Sequence, residues 1–139
     1  MKKQFYFCIL FTLFIFFTSC SEDNPLGPNN NLYQYIAFDK SGNPIVSGYL
    51  WIEFVDSSDV TGHWDLKQIS ITENIGSQVG HGELRGVFTD GLLNIDLNPE
   101  MVDNNVVLSG TINSTSYHGN WTYYGFPGLI NTGSFFAKR

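Results

Sequence analysis

From residue 32 onward, apolar side chains recur at every second position in short runs, and no stretch repeats them every three or four. Such runs predict eight strands, at about 32–38, 48–55, 61–71, 79–88, 91–97, 106–112, 117–124 and 132–138. The strongest local signal is Asp90-Gly91, a pair suited to a type I′ hairpin because both central residues need positive φ. A two-residue loop there sets Phe88 opposite Leu93, Gly86 opposite Ile95 and Leu84 opposite Leu97, all on one face. The other face receives Val87, Thr89, Asn94 and the opposite charges Arg85 and Asp96.

A second hairpin follows from the same test. The loop Asn113-Ser114-Thr115-Ser116 pairs Ile112 with Tyr117, Gly110 with Gly119, Leu108 with Trp121 and Val106 with Tyr123. Between the two hairpins, Asn98-Pro99 has the residues of a helix start and predicts one helical turn over 98–103. In the third strand Trp64 and Leu66 share parity while Ile69 and Ile71 do not, which predicts a bulge near Lys67-Gln68.

Several strands carry a glycine two residues before a bulky apolar side chain: Gly48 before Leu50, Gly62 before Trp64, Gly119 before Trp121 and Gly133 before Phe135. Inward glycines relieve crowding where a sheet bends sharply, as closure requires. The expected fold is therefore all-β, a small antiparallel up-and-down barrel of about eight strands, with a two-sheet sandwich as the competing architecture. The Gly-x-Trp steps at Gly62-His63-Trp64 and Gly119-Asn120-Trp121 resemble the strand pattern of the calycin-type barrels, lipocalins and avidins. That resemblance implies a carrier of a small apolar ligand, held inside the barrel.

Composition supports one domain. Aromatic residues make up 16% of the chain and charged residues 14%, and about 108 residues, 32–139, are available for the fold. The apolar run from Phe5 to Phe17 follows Lys2 and Lys3, is too short to cross a bilayer comfortably, and has the anatomy of a signal peptide. It closes as Phe17-Thr18-Ser19-Cys20, which resembles the lipobox of bacterial lipoprotein precursors. The resemblance implies cleavage after residue 19, lipidation of Cys20 and attachment to the membrane through that lipid. Ser21-Glu22-Asp23 lacks aspartate at the second position and is similar to the export tag of surface-exposed lipoproteins. The expected location is thus the cell envelope, at the outer membrane, with display outside the cell as the further expectation. Residues 20–31 read as lipidated cysteine plus a flexible tether rich in proline and asparagine.

Removing Lys2 and Lys3 with the signal leaves five basic against thirteen acidic side chains, a surface that repels nucleic acid and anionic lipid. Cys8 leaves with the signal too, so no internal disulfide is available. His63, His81 and His118 have no zinc-site spacing, the acidic loops at 56–59 and 103–105 lack the pattern of a calcium loop, and no nucleophile elbow or carboxylate pair is recognisable. No metal, cofactor or enzymatic activity is expected.

Two non-enzymatic readings remain. In the first, Trp64, Phe88, Tyr117, Trp121, Tyr123 and Phe135, with Phe54, point inward and line a pocket for a small apolar ligand; otherwise they fill the barrel. In the second, the core is packed and the chain binds an envelope protein or a glycan, or inhibits an enzyme. The connections at 39–47, 72–78, 98–105 and 125–131 then form a loop-rich end, with Trp51, Tyr124 and Phe126 as candidate contact residues.

Overall fold

The computed structural model describes residues 31–139; the expected signal peptide, the lipidation expected at Cys20 and the expected tether up to residue 30 lie outside the described residues. Eight strands follow in order: β1 (Leu32–Phe38), β2 (Pro44–Phe54), β3 (Asp59–Gln68), β4 (Gly80–Thr89), β5 (Leu92–Asp96), β6 (Asn104–Ile112), β7 (Ser116–Gly125) and β8 (Gly128–Lys138). Each pairs antiparallel with its neighbours in sequence, and β8 closes on β1, which makes an up-and-down barrel and excludes the sandwich. Closure leaves no strand edge without a partner.

Both hairpins adopt the expected register. Phe88 faces Leu93, Gly86 faces Ile95 and Arg85 faces Asp96 across a turn in which Asp90 and Gly91 have φ of 53° and 83°. The ladder stops there: Leu97 turns its N–H to the Val106 carbonyl at 3.0 Å, so Leu84 and Leu97 are both buried without being paired in it. In β6–β7, Ile112–Tyr117, Gly110–Gly119, Leu108–Trp121 and Val106–Tyr123 are all partners.

Three expectations fail, each for a local reason. The chain does not bulge at Lys67-Gln68, because β3 ends at Gln68, whose Nε2 donates to the carbonyls of Ser70 and Thr72 and holds the segment off the ladder. Ile69 and Ile71 are consequently exposed loop residues. No helical turn forms at 98–103; Met101 N–H closes a single turn on the Asn98 carbonyl at 2.9 Å, and the Asn98 side chain bonds Ser77 instead of capping. The long connection expected at 125–131 is the two-residue turn Phe126-Pro127, since β8 begins at Gly128 and pairs its first residue with Gly125. The irregular rungs lie elsewhere, between Ala37 and Phe38 and between Tyr123 and Tyr124.

The inward positions build one continuous core, including Tyr33, Tyr35, Leu50, Ile52, Trp64, Leu66, Leu84, Leu93, Ile95, Leu108, Tyr117, Trp121 and Phe135. Each large side chain here contributes about 1.5–3 kcal/mol on leaving water. Among the described residues there is no cysteine, so this burial, with the closed ladder, is what holds the barrel together.

The two ends are closed differently. At the entry end, where the chain arrives at Leu32, the links 55–58, 90–91 and 113–115 are tight. Asp56 Oδ1 accepts the N–H groups of Ser58 and Asp59, and Asn113 Oδ1 accepts those of Thr115 and Ser116, so the turns are fixed by their own side chains. At the far end the eleven-residue link 69–79 folds over the barrel mouth and buries Ile75 and Gln78. It is tied down by Ser77 Oγ to the Asn104 carbonyl (2.7 Å), Asn98 Nδ2 to Ser77 Oγ (2.7 Å) and Asn131 Nδ2 to the Asn74 carbonyl (3.2 Å).

Candidate functional site

Six of the ring positions assigned inward by parity point inward: Trp64, Tyr117, Trp121 and Phe135 are buried, and Phe88 and Tyr123 are half-buried against the same core. Phe54 is on the inward side of β2 but on its last rung, where the mouth opens; it is 45% exposed and meets Phe88 edge-on at 5.7 Å. The expectation that Phe54 belongs to the buried interior is therefore corrected to a rim position.

The inward rings occupy the space that inward glycines vacate. A Cβ on Gly82 would come within 3.0 Å of the Trp64 indole, and one on Gly133 within 2.6 Å of Trp121 Nε1. Phe135 lies between Tyr35 and Tyr117, at 5.7 and 4.7 Å. Tyr123 lies under the far-end link, where a Cβ on Gly76 would meet its ring at 2.5 Å and Val106 at 2.8 Å.

The polar atoms of these rings are satisfied by the barrel itself. Trp64 Nε1 donates to the Leu97 carbonyl at 2.6 Å and Trp121 Nε1 to the Phe38 carbonyl at 2.9 Å. The Tyr117 hydroxyl sits between the carbonyls of Leu93 (3.0 Å) and Leu108 (2.9 Å). The Tyr35 hydroxyl faces Gln78 Oε1 at 3.4 Å, and Gln78 Nε2 donates to the Ile75 carbonyl at 2.8 Å. Burial pushes the hydroxyls of Tyr35 and Tyr117 well above the ordinary tyrosine range, Tyr117 further because Tyr35 lies near. Neither is poised for proton transfer near neutral pH.

On the outside, the candidate contact residues fall in two places. Tyr124 and Phe126 stand at the far end, Phe126 89% exposed. Trp51 is half-buried on the wall of β2, beside Tyr49 and His63, with centroid separations of 6.1 and 5.8 Å. The structure does not bring these two groups together.

The far end gathers further apolar side chains that strand patterning passed over: Ile71, Val102 (89% exposed), Leu129 and Ile130. The only trace of them in the sequence is apolar residues placed within apparent loops. A shallow depression of about 590 Å³ marks the outer wall from β3 to β6, lined in part by Val55, Val87, Val107, Arg85 and Asp96.

His63, His81 and His118 are all exposed on the outer wall. Among the described residues no group of three or more histidine, cysteine or carboxylate side chains converges as a metal site would require. In the acidic loop at 56–59, hydrogen bonds from Ser58 and Asp59 hold the Asp56 carboxyl below its ordinary range, a turn device rather than a cation cage. Asp39 does the same for the link 39–43, its carboxyl lowered chiefly by Asn43.

Searches against family models, curated proteins and solved structures return no match to this chain.

Proposed function

We propose that the chain is an exported lipoprotein, anchored through lipid on Cys20, whose barrel is a non-enzymatic docking domain for an envelope protein. The observation that carries this reading is the far end, where Ile71, Val102, Phe126 and Leu129 stand exposed, opposite the end at which the tether enters. Large apolar side chains set around one rim and left in water carry a free-energy cost that a protein partner removes. An anchored tether at one end leaves the other end facing outward.

The alternative lipocalin-like carrier role needs room among Trp64, Phe88, Tyr117, Trp121, Tyr123 and Phe135. The contacts of these rings with inward glycines and with one another support a filled barrel instead.

A photo-crosslinking residue at position 126, compared in the native host with one at Thr111 on the barrel wall, tests the proposal. A single defined protein adduct is expected from position 126 and none from 111. The adduct should disappear in a Cys20→Ala background, which releases the domain from the membrane. Equal adducts from both positions, or none from 126, would overturn the docking role. An adduct that survives Cys20→Ala at full yield would overturn the need for the anchor.

A further inference from the structure

The outer wall of β2, β3 and β4 carries a patch unlike the rest of the surface. Strand register arranges it as a grid of three rows: Tyr49, Asp65 and His81; Trp51, His63 and Glu83; Glu53, Thr61 and Arg85. Neighbours across a row have Cβ atoms about 4.5–5.5 Å apart, so the grid is compact enough for one ligand segment to touch all of it. Three rings run through it, Tyr49 against Trp51 at 6.1 Å and Trp51 against His63 at 5.8 Å. Three carboxylates, Glu53, Asp65 and Glu83, alternate with the rings, and none makes a side-chain hydrogen bond or ion pair to another described residue. Arg85, the one arginine of the grid, lies 3.6 Å from Glu100, and Lys67 stands one rung beyond Asp65; the remaining basic side chains of the grid are the imidazoles of His63 and His81. The outward positions of β6–β8 also hold a ring pair, His118 and Phe136, at 6.4 Å, but their other members, including Ser109, Thr111, Asn120, Thr122, Ser134 and Lys138, supply no carboxylate.

We propose that this patch is a binding site for a cationic polypeptide segment, one that presents lysine or arginine side chains. Two observations select that chemistry. The rings are tilted to one another by 47° and 40°, which forms notches rather than the flat platform on which a run of neutral sugar rings would stack. An ammonium or guanidinium group seated in such a notch meets the electron-rich ring faces and reaches a carboxylate on the adjoining rung. The site is separate from the apolar far end and does not depend on the docking role proposed there.

The barrel of residues 32–139, whose ladder closes on itself, provides the material for the test. It is titrated with an octa-arginine peptide and, separately, with a neutral β-glucan hexasaccharide, at low and at physiological salt. Binding is read from backbone and indole N–H shifts. Expected are peptide-induced shifts centred on Trp51, Tyr49 and His63 and an affinity that falls at least tenfold in Glu53→Gln/Asp65→Asn/Glu83→Gln. A charge-matched control, Glu73→Gln/Asp90→Asn/Asp103→Asn, should stay within twofold of the parent, since net charge alone is not the proposed cause. Trp51→Ala should weaken binding about tenfold, and Trp51→Phe, which keeps a ring, should recover most of the loss. Equal weakening in both charge variants would reduce the patch to general acidity and overturn the proposal. So would shifts centred elsewhere, or binding of the hexasaccharide at this patch with none of the peptide.

Discussion

The entry end and the far end of this barrel solve one problem by different means. At the entry end three short links close locally: Asp56 and Asn113 accept backbone N–H groups two and three residues ahead, and Asp90-Gly91 turns on positive φ alone. At the far end the mouth is stopped by tertiary contact: Ile75 and Gln78 enter from an eleven-residue link, and both interior tryptophans aim their N–H groups at carbonyls there. The entry end is thus a set of independent turns, each worth little alone. The far end is a shared structure in which one lost side chain loosens several elements. Its stoppered mouth is also ringed by the exposed apolar side chains Val102 and Phe126, so the end that depends most on packing is the one with surface to offer a partner.

This difference predicts unequal costs for removing rings at the two ends. Trp121→Ala opens the space over Gly133 and leaves the Phe38 carbonyl without its donor, so a loss of about 3–5 kcal/mol is expected. Phe88→Ala removes a half-buried ring at the entry rim whose neighbour Phe54 is already in water, and a loss of about 1–2 kcal/mol is expected. Urea melts of the two variants check this. Equal losses would mean that the far end is no more cooperative than the entry end.

Alkaline pH probes the same contrast through two buried hydroxyls. Tyr117 is held between carbonyls near the entry end, whereas Tyr35 faces the far-end stopper across a long 3.4 Å contact. Both ionise above their ordinary value of 10.0 because the folded interior disfavours the phenolate. The unfolded chain sheds these protons near pH 10 while the folded one keeps them. Stability is therefore full below that pH and falls as pH rises beyond it, by about 1.4 kcal/mol per unit for each tyrosine. Tyr35→Phe should flatten the alkaline slope by about 1.4 kcal/mol per unit with little cost at pH 7, leaving the shares of Tyr117 and of Tyr33, which burial also raises. Tyr117→Phe should flatten it by the same amount but lose about 1 kcal/mol at neutral pH with its hydrogen bonds. Melts from pH 7 to 11 distinguish these outcomes, and an unchanged slope in both variants would remove the tyrosines as its cause.

How far the sequence could be read divides along the same line. Asp90-Gly91 and the Asn113 loop carry their turn chemistry locally, so the hairpin registers followed from a few residues, and with them the inward parity of Phe88, Tyr117, Trp121 and Tyr123. The far end did not follow. Ile69 and Ile71 looked like a strand continued past a bulge, because nothing local reveals that Gln68 ties back the next residues. Ile75 and Gln78 are unremarkable in a polar link until the barrel supplies a mouth for them to enter. Parity placed Phe54 on the inner side, but the height of a rung along the axis is set by the stagger of all eight strands. Trp51 was legible as a contact candidate, but its grouping with Tyr49 and His63, away from Tyr124 and Phe126, exists only once β2 and β3 are in register.

The smallest effect tests whether entry-end turns are independent. Asn113→Ala removes the oxygen that accepts the N–H groups of Thr115 and Ser116 but leaves the backbone contact from Asn113 N–H to the Ser116 carbonyl at 2.8 Å. A solvated Asx turn of this kind contributes about 1 kcal/mol, and its loss should stay local. Amide exchange should quicken at Thr115, Ser116 and Arg139, whose N–H bonds the Thr115 carbonyl, while the far-end amides of Ile69 and Leu97, bonded to the Ile45 and Val106 carbonyls, keep their protection relative to the global loss. If Ile69 and Leu97 open as readily as the turn does, the two ends are one cooperative unit. The tight turns would then be part of what holds the far-end stopper in place.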